Sequence, residues 1–285
     1  MKYAFITGAA GGISGAVVEA LDKVGGWTIF AADIAPLDDI CAKTSDNVIP
    51  VPINVTDMDS VRAAVEECKK YTDTIDAVVN IAGWHTMASL VEDDPIPALE
   101  RIVDINLMGM ARINNAFFNA DMLKGKRSRI VNFSSECGWM QPQPFNTPYA
   151  ISKWAVEAYT IGLRRELNFI DIPVVKIQPG SFKTGMHAQA NAGYEKILAT
   201  TTHYVPVLKV LSPIMSVALA QAHDMHYIVD ATVKAITTEH PRINYKVKNT
   251  WYLALINPIP AKVIDFGYKY VVLGGYEVMK KLGKV

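Results

Sequence analysis

Short runs rich in β-branched and aromatic residues alternate with longer stretches at helical spacing, and this alternation limits the fold more than any other feature of the chain. YAFIT, WTIFAAD, NVIPVPI, DAVVNIAG, RIVNFSS and IPVVKIQPG read as strands. Residues 12–24, TDMDSVRAAVEECKKY, residues 97–119 and residues 149–169 read as helices. Strands that alternate with helices imply a parallel sheet covered on both faces. The expected class is α/β, a single domain over residues 1–285. The regularity fades between about 181 and 226, and a long stretch of this kind in a compact domain is expected to act as a lid. Further helices are expected over 227–239 and, amphipathic, over 260–273, the latter inside a helical C-terminal extension from about 249 to 285.

TGAAGGISGA, residues 7–16, joins the first strand to the first helix. Glycines at such a junction let backbone approach a pyrophosphate, and the helix N-terminus favours its negative charge. The expectation becomes a Rossmann-type, doubly wound sheet. Asp33 ends the second strand, about 20 residues after the loop, where a carboxylate can accept from the adenine-side ribose hydroxyls. It would repel the extra phosphate of NADP. Ile34 follows it, and Gly11 stands where a basic residue would suit NADP, so the expected cofactor is NAD.

Composition excludes several classes. Net charge is zero and half of the residues are hydrophobic, so the chain can bury a core and shows no nucleic-acid footprint. Charge is segregated, however. Residues 246–285 hold seven lysines against Asp265 and Glu277, a net +5, which leaves −5 on the remainder. A basic, aromatic tail of this kind can make peripheral contact with a membrane surface, although most charge runs are solvated helix faces. Cys41, Cys68 and Cys137 have no metal or CxxC spacing, which suggests reduced thiols and a cytoplasmic setting. Residues 2–6 read as a strand rather than a signal segment, and no apolar run reaches membrane-spanning length.

An ordered set of motifs resembles the short-chain dehydrogenase/reductase family. It comprises TGAAGGIS, Asp33, NVTD (54–57), NIAG (80–83), Asn106 in DINLMG, NFSS (132–135), YAISK (149–153) and PGSFKT (179–184). Two stretches are similar to its retinol/hydroxysteroid dehydrogenase branch: ISKWAVEAYTIGLRREL followed by PGSFKTGM, and PRINYKVKNTW before the hydrophobic tail. The order of the motifs gives them weight, since Tyr276 and Lys280 repeat the Y-x-x-x-K spacing without a preceding strand or serine. The resemblance implies a cradle of Gly8, Gly12, Ile13 and Ser14, and an adenine site near Asn54 and Val55. Asn80, Ala82 and Gly83 are implied on the cofactor side of the fourth strand, and Pro179, Gly180 and Thr184 at the nicotinamide end. Homo-oligomers through the 149–169 helix are also implied. Three positions depart from the family pattern. Ser14 replaces a glycine and offers a hydroxyl for a phosphate, Asn54 replaces an aspartate, and Ile81 replaces an asparagine.

Oxidation of an alcohol needs a partner for the hydroxyl proton. A tyrosine, with a free pKa near ~10, is a poor base at neutral pH, and a nearby ammonium lowers that value. Lys153 follows Tyr149 by four residues, on the same side of one helix. By resemblance Lys153 also holds the nicotinamide ribose, and Asn106 supports a water chain from Lys153 to solvent. The serine partner is ambiguous. The family's customary spacing, counted back from Tyr149, lands on Glu136, whereas the strand IVNFSS, counted forward, lands on Ser135. Loops absorb insertions more readily than strands, so the extra residue is expected within 141–148 and Ser135 is taken. Ser134 would point the other way, and Glu136 would bring negative charge toward a developing oxyanion.

Trp84, Trp139, Met140, Phe145, Met186 and Met215 are candidates for an apolar substrate cleft or for core, and His187 for a lid residue near the substrate. The expected activity is NAD-dependent interconversion of a small hydrophobic alcohol and its ketone, such as a hydroxysteroid. The alternatives are an isomerase or dehydratase that retains its nicotinamide, and a non-catalytic NAD-sensing protein.

Overall fold

The computed structural model describes residues 1–92, 94–184, 186–220 and 222–283, without the side chains of 186–191 and 215–220. Seven parallel strands form one sheet in the order β3-β2-β1-β4-β5-β6-β7. They are β1 (Lys2–Thr7), β2 (Trp27–Asp33), β3 (Val48–Pro52), β4 (Ala77–Asn80), β5 (Arg129–Phe133), β6 (Val174–Pro179) and β7 (Asn244–Val247). The chain winds outward from β1 to β3, then returns to lay β4 on the other side of β1. That reversal opens a crevice beyond the C-terminal ends of β1 and β4.

The period of two along each strand sends alternate residues to two helical layers. Ala4, Ile6, Ile29, Ala31, Val79 and Ile177 meet Val17, Val18 and Leu21 of α1 (Gly12–Val24) and Ile228 and Ile236 of α9 (His226–Thr237). Phe5, Phe30, Val78 and Ile130 meet α3 (Met58–Lys69), α5 (Met110–Asn119) and α6 (Thr147–Asn168) through Val61, Val65, Ile113, Phe117 and Leu167. Phe5, Phe30 and Phe117 are wholly buried, each contributing roughly 1.5–3 kcal/mol.

Four features differ from the sequence expectation. The first is β7, a strand of NYKV that lies at the sheet edge with only Val247 buried, so it lacks the apolar signature of a central strand. The second is the span read as an irregular lid, which contains α7 (Met186–Thr200) and α8 (Val205–Ala220). α7 starts MHAQANAG, without an apolar stripe, and α8 is apolar almost all round and carries Pro213, so neither shows helical periodicity. These helices pack Tyr194, Ile197 and Leu208 on Met87 and Phe145. Third, the stretch 97–119 is α4 (Ile96–Val103) and α5 joined by one π-helical turn, Asp104–Gly109. Fourth, the C-terminal extension is α10 (Trp251–Ile256), α11 (Ala261–Phe266), a second π-turn at Gly267–Val272, and α12 (Leu273–Lys281). The short α2 is Asp38–Cys41. Among the described residues no helix is long and apolar enough to cross a membrane.

The end of β6 lies tightly against the segment after β7. A Cβ on Gly180 would stand 2.0 Å from the carbonyl oxygen of Lys248, itself at a φ of 52°. Gly180→Ala is therefore expected to lower unfolding free energy by about 2 kcal/mol or more, read as a denaturant midpoint. A wild-type midpoint would mean that the segment after β7 yields freely.

Candidate active site

A cleft of about 1400 Å³ opens at the crevice between β1 and β4. It exceeds the roughly 300–1,000 Å³ of an ordinary small-molecule pocket, which leaves room for a dinucleotide and a second ligand. At one end the turn after β1 passes under the backbone after β4. Thr7 Oγ1 accepts from the amides of Ile81 and Ala82, both at 3.1 Å, and so ties the two strand ends together. Gly8 has a φ of 78°, and a Cβ there would stand 2.9 Å from Ala82 Cα. A Cβ on Gly12 would have nothing nearer than Met225 Sδ at 3.8 Å. Among the described residues no side chain caps the N-terminus of α1, which suits its first amides to a ligand.

Asp33 accepts from the amides of Ala10 and Ala35 at 2.9 Å each, which fixes its carboxylate at the cleft wall. Ile34, Asn54 and Val55 line the same region. Asn54 Oδ1 accepts from Thr56 N and Oγ1, so the face that it offers a ligand is the Nδ2 donor. Glycines that clear the backbone, free helix amides and a fixed carboxylate one strand away fit a nicotinamide dinucleotide.

At the other end, β5 runs into Ser134 and Ser135, and α6 presents Tyr149 and Lys153 opposite them. Ser135 stands beside the Tyr149 phenol, and its Oγ accepts from Cys137 N at 3.2 Å. Lys153 Nζ donates to the carbonyl of Phe133 at 3.1 Å and lies 5.7 Å from the Tyr149 ring centroid. The ambiguity between Ser135 and Glu136 takes a geometric form here. Glu136 begins a short 3-10 turn, Glu136–Gly138, and its carboxylate turns to Thr250. Ser134 Oγ is buried without a partner among the described residues.

Burial sets the electrostatics. It pushes the Tyr149 phenol well above its usual value; the Cys137 thiol and Glu136 add to the rise, and the Ser135 hydrogen bond opposes it. Burial also brings the Lys153 ammonium down to about 8, opposed by Cys137 and Glu157. With both groups withdrawn from water, desolvation disfavours the charged form of each.

Three expected contacts are arranged differently. Asn80 does not line the cleft. Its Nδ2 donates to Asn114 Oδ1 and Asn132 Oδ1 at 2.8 and 2.9 Å, in a buried amide network. Ser14 Oγ donates to the carbonyl of Thr7 at 2.9 Å instead of waiting for a phosphate. Asn106 lies in the π-turn, wholly buried; it pairs with both backbone groups of Trp84 and donates to Ser152 Oγ at 3.0 Å. Gly8, Gly12, Ile13, Ser14, Ala82, Gly83, Pro179, Gly180 and Thr184 all reach the cleft wall. So do Trp84 and Met140, whereas Phe145 belongs to the core under α7 and α8, and Trp139 stacks under Lys246 at 4.0 Å away from the cleft. The side chains of Met186, His187 and Met215 lie outside the described residues.

Sequence reasoning passed over His85. Its ring lies 4.8 Å from that of Tyr149, and Nε2 pairs with Asn146 Oδ1 at 3.0 Å. Its position just past the end of the fourth strand was the available signal.

Residues 2–195 match the family model described as short chain dehydrogenase. Mouse retinol dehydrogenase 7 is 28% identical over 283 residues, 93% of this chain and 86% of that protein. Human 17-beta-hydroxysteroid dehydrogenase type 6 is 26% identical over 281 residues, 93% of this chain and 87% of that protein. Among solved structures, a short chain dehydrogenase/reductase from Burkholderia phymatum in complex with NAD superposes with a TM-score of 0.72 at 20% identity, covering 93% and 94% of the two chains. One from Burkholderia cenocepacia in complex with NADP gives 0.68 at 20% identity, covering 96% and 99%. The chain belongs to the short chain dehydrogenase family, on its retinol and hydroxysteroid dehydrogenase branch. It is accordingly an oxidoreductase acting on CH–OH donors with a nicotinamide cofactor.

Lys153 supplies a stability test. Below pH 8 both folded and unfolded chains carry its proton, and the fold bears the cost of a buried charge. Between about 8 and 10.5 only the unfolded chain still holds that proton, so stability rises with pH. Lys153→Met should thus raise the melting temperature of the cofactor-free protein at pH 7, with a gain that shrinks toward pH 10.5. A midpoint at or below wild type at pH 7 would mean that the bond to Phe133 outweighs the cost of burial.

Proposed function

We propose that this protein is an NAD-dependent dehydrogenase interconverting an apolar secondary alcohol, such as a hydroxysteroid, and its ketone. The observation that carries the reading is one cleft with Asp33 at the adenine end and Ser135, Tyr149 and Lys153 at the other. A bound NAD would supply the hydride acceptor for the alcohol carbon. Tyr149 Oη takes the hydroxyl proton, or returns it when a ketone is reduced. Ser135 Oγ donates to the substrate oxygen as charge develops on it. Lys153 provides the cation that favours phenolate as the proton is transferred, and Asn106 fixes the backbone at Trp84 against α6.

The substrate preference rests on the wall. Trp84, Met87, Met140, Tyr194, Trp251, Tyr252 and Leu253 give the cleft an apolar lining suited to a bulky ring system. The exposed Ile151 and Trp154 on α6 support association of copies through that helix. Exposed Val263, Phe266, Tyr270 and Val271, near Lys262 and Lys269, support peripheral membrane contact by the extension. Three free thiols suit a reducing, cytoplasmic setting.

A panel of steroids, retinoids and short alcohols with NAD and NADP, followed by nicotinamide absorbance, tests the reading. Turnover is expected with NAD and a bulky secondary alcohol, and activity with NADP alone would overturn the role of Asp33. Tyr149→Phe should lower kcat by at least about 100-fold, and wild-type turnover would sink the mechanism. Asp33→Ala should raise KM for NAD and narrow the gap to NADP, measured as the ratio of kcat/KM values.

A further inference from the structure

α10 forms part of the wall of the substrate cleft, through Trp251, Tyr252 and Leu253. It has six residues and buries none of them. A helix this short does not hold itself together in water, and this one has no apolar anchor of its own. Its place over the cleft depends on a polar seam along residues 249–259. Asn249 Nδ2 donates to the carbonyl of Gln178 at 2.9 Å. Asn257 accepts from Gln141 N at 3.0 Å and donates to the carbonyl of Trp139 at 3.0 Å. Gln141 Nε2 adds bonds to the carbonyls of Asn257 and Ile259.

Glu136 is the charged member of this seam. Its buried carboxylate accepts from Thr250 N at 2.7 Å and Thr250 Oγ1 at 3.3 Å, at the residue that starts α10. On its other side, Glu136 directly follows Ser135. One residue thus joins the loop that carries Ser135 to the helix that walls the substrate space. Carboxylate acceptors make stronger hydrogen bonds than neutral ones, and this one is turned onto Thr250.

We infer that Glu136 is a positioning residue for substrate selection, seating α10 so that Trp251, Tyr252 and Leu253 form a fixed wall for a bulky apolar substrate. The inference rests on the reading of the cleft as an alcohol site.

The test compares Glu136→Ala, Glu136→Gln and wild type. Kinetics with NAD use a hydroxysteroid and cyclohexanol, and hydrogen–deuterium exchange follows the amides of 249–257. In Glu136→Ala, KM for the steroid should rise about tenfold with a smaller change in kcat, and cyclohexanol should lose less. Exchange of 249–257 should accelerate. Glutamine can still accept from Thr250 N and donate to Thr250 Oγ1, so Glu136→Gln should restore both readouts. Asn257→Ala loosens the other end of the seam and should give the same KM pattern, which keeps the test open if Glu136→Ala fails to fold. Equal losses on both alcohols, unchanged exchange in Glu136→Ala, or a glutamine variant as impaired as the alanine one would each overturn the inference. If wild type oxidises no alcohol, the alcohol reading fails and substrate selection with it, while exchange still reports whether Glu136 seats α10.

Discussion

The hydroxyl of Thr7 holds the ends of β1 and β4 together, and the site is organised around that join. The turn beyond β1 can pass there only because Gly8 brings no side chain against Ala82. The same reversal of winding that separates β3 from β7 aligns the glycine turn, Asp33 and the end of β4 along one wall. The cleft across this join runs from the carboxylate that ends β2 to the serines after β5. The fold therefore presents its cofactor surface as backbone, and little of it depends on mobile side chains.

The reacting end is built differently. Tyr149 and Lys153 are nearly buried, and burial acts against the charged form of each. A phenol driven up and an ammonium driven down each resist carrying charge. Such a pair stores a demand for compensation that a polar ligand can meet, which is how active sites trade stability for reactivity. Around it, most polar groups are already committed: Asn106 to Trp84 and Ser152, Asn80 to Asn114 and Asn132, and Glu136 to Thr250. Ser135 and Lys153 keep donors to spare beyond their bonds to Cys137 and Phe133, and they face Tyr149 in the cleft.

Sequence patterns carried the central sheet well, because β1, β2, β4, β5 and β6 are buried on both faces and their apolar runs are hard to mistake. They failed where burial is one-sided or absent. NYKV leaves three of four side chains wholly or partly exposed, and α8 is too uniformly apolar to show a period. Residue types located the glycine turn, Asp33 and the Tyr149–Lys153 pair. They did not reveal the directions of side chains, which depend on partners remote in sequence. Asn80 turns into its amide network because Asn114 and Asn132 await it, and the Glu136 carboxylate turns to Thr250, 114 residues later, which offers it two donors. For His85 the only sequence signal was its position just past β4, since its contact with the Tyr149 ring joins residues 64 apart.

The π-turn at Asp104–Gly109 does more than house Asn106. One additional residue in a helical turn resets the phase of everything after it. Before the turn, the helix lies against α6, and beyond it Ile113 and Phe117 face α3 and the sheet. Winding the same six residues of DINLMG as a regular α-turn would rotate the second half of the helix by about 100°. Phe117 would swing out of the core while Asn106 lost its pairing with Trp84. The turn takes up one residue that a regular helix would pass on, and its winding is as much a part of the site as any side chain in it.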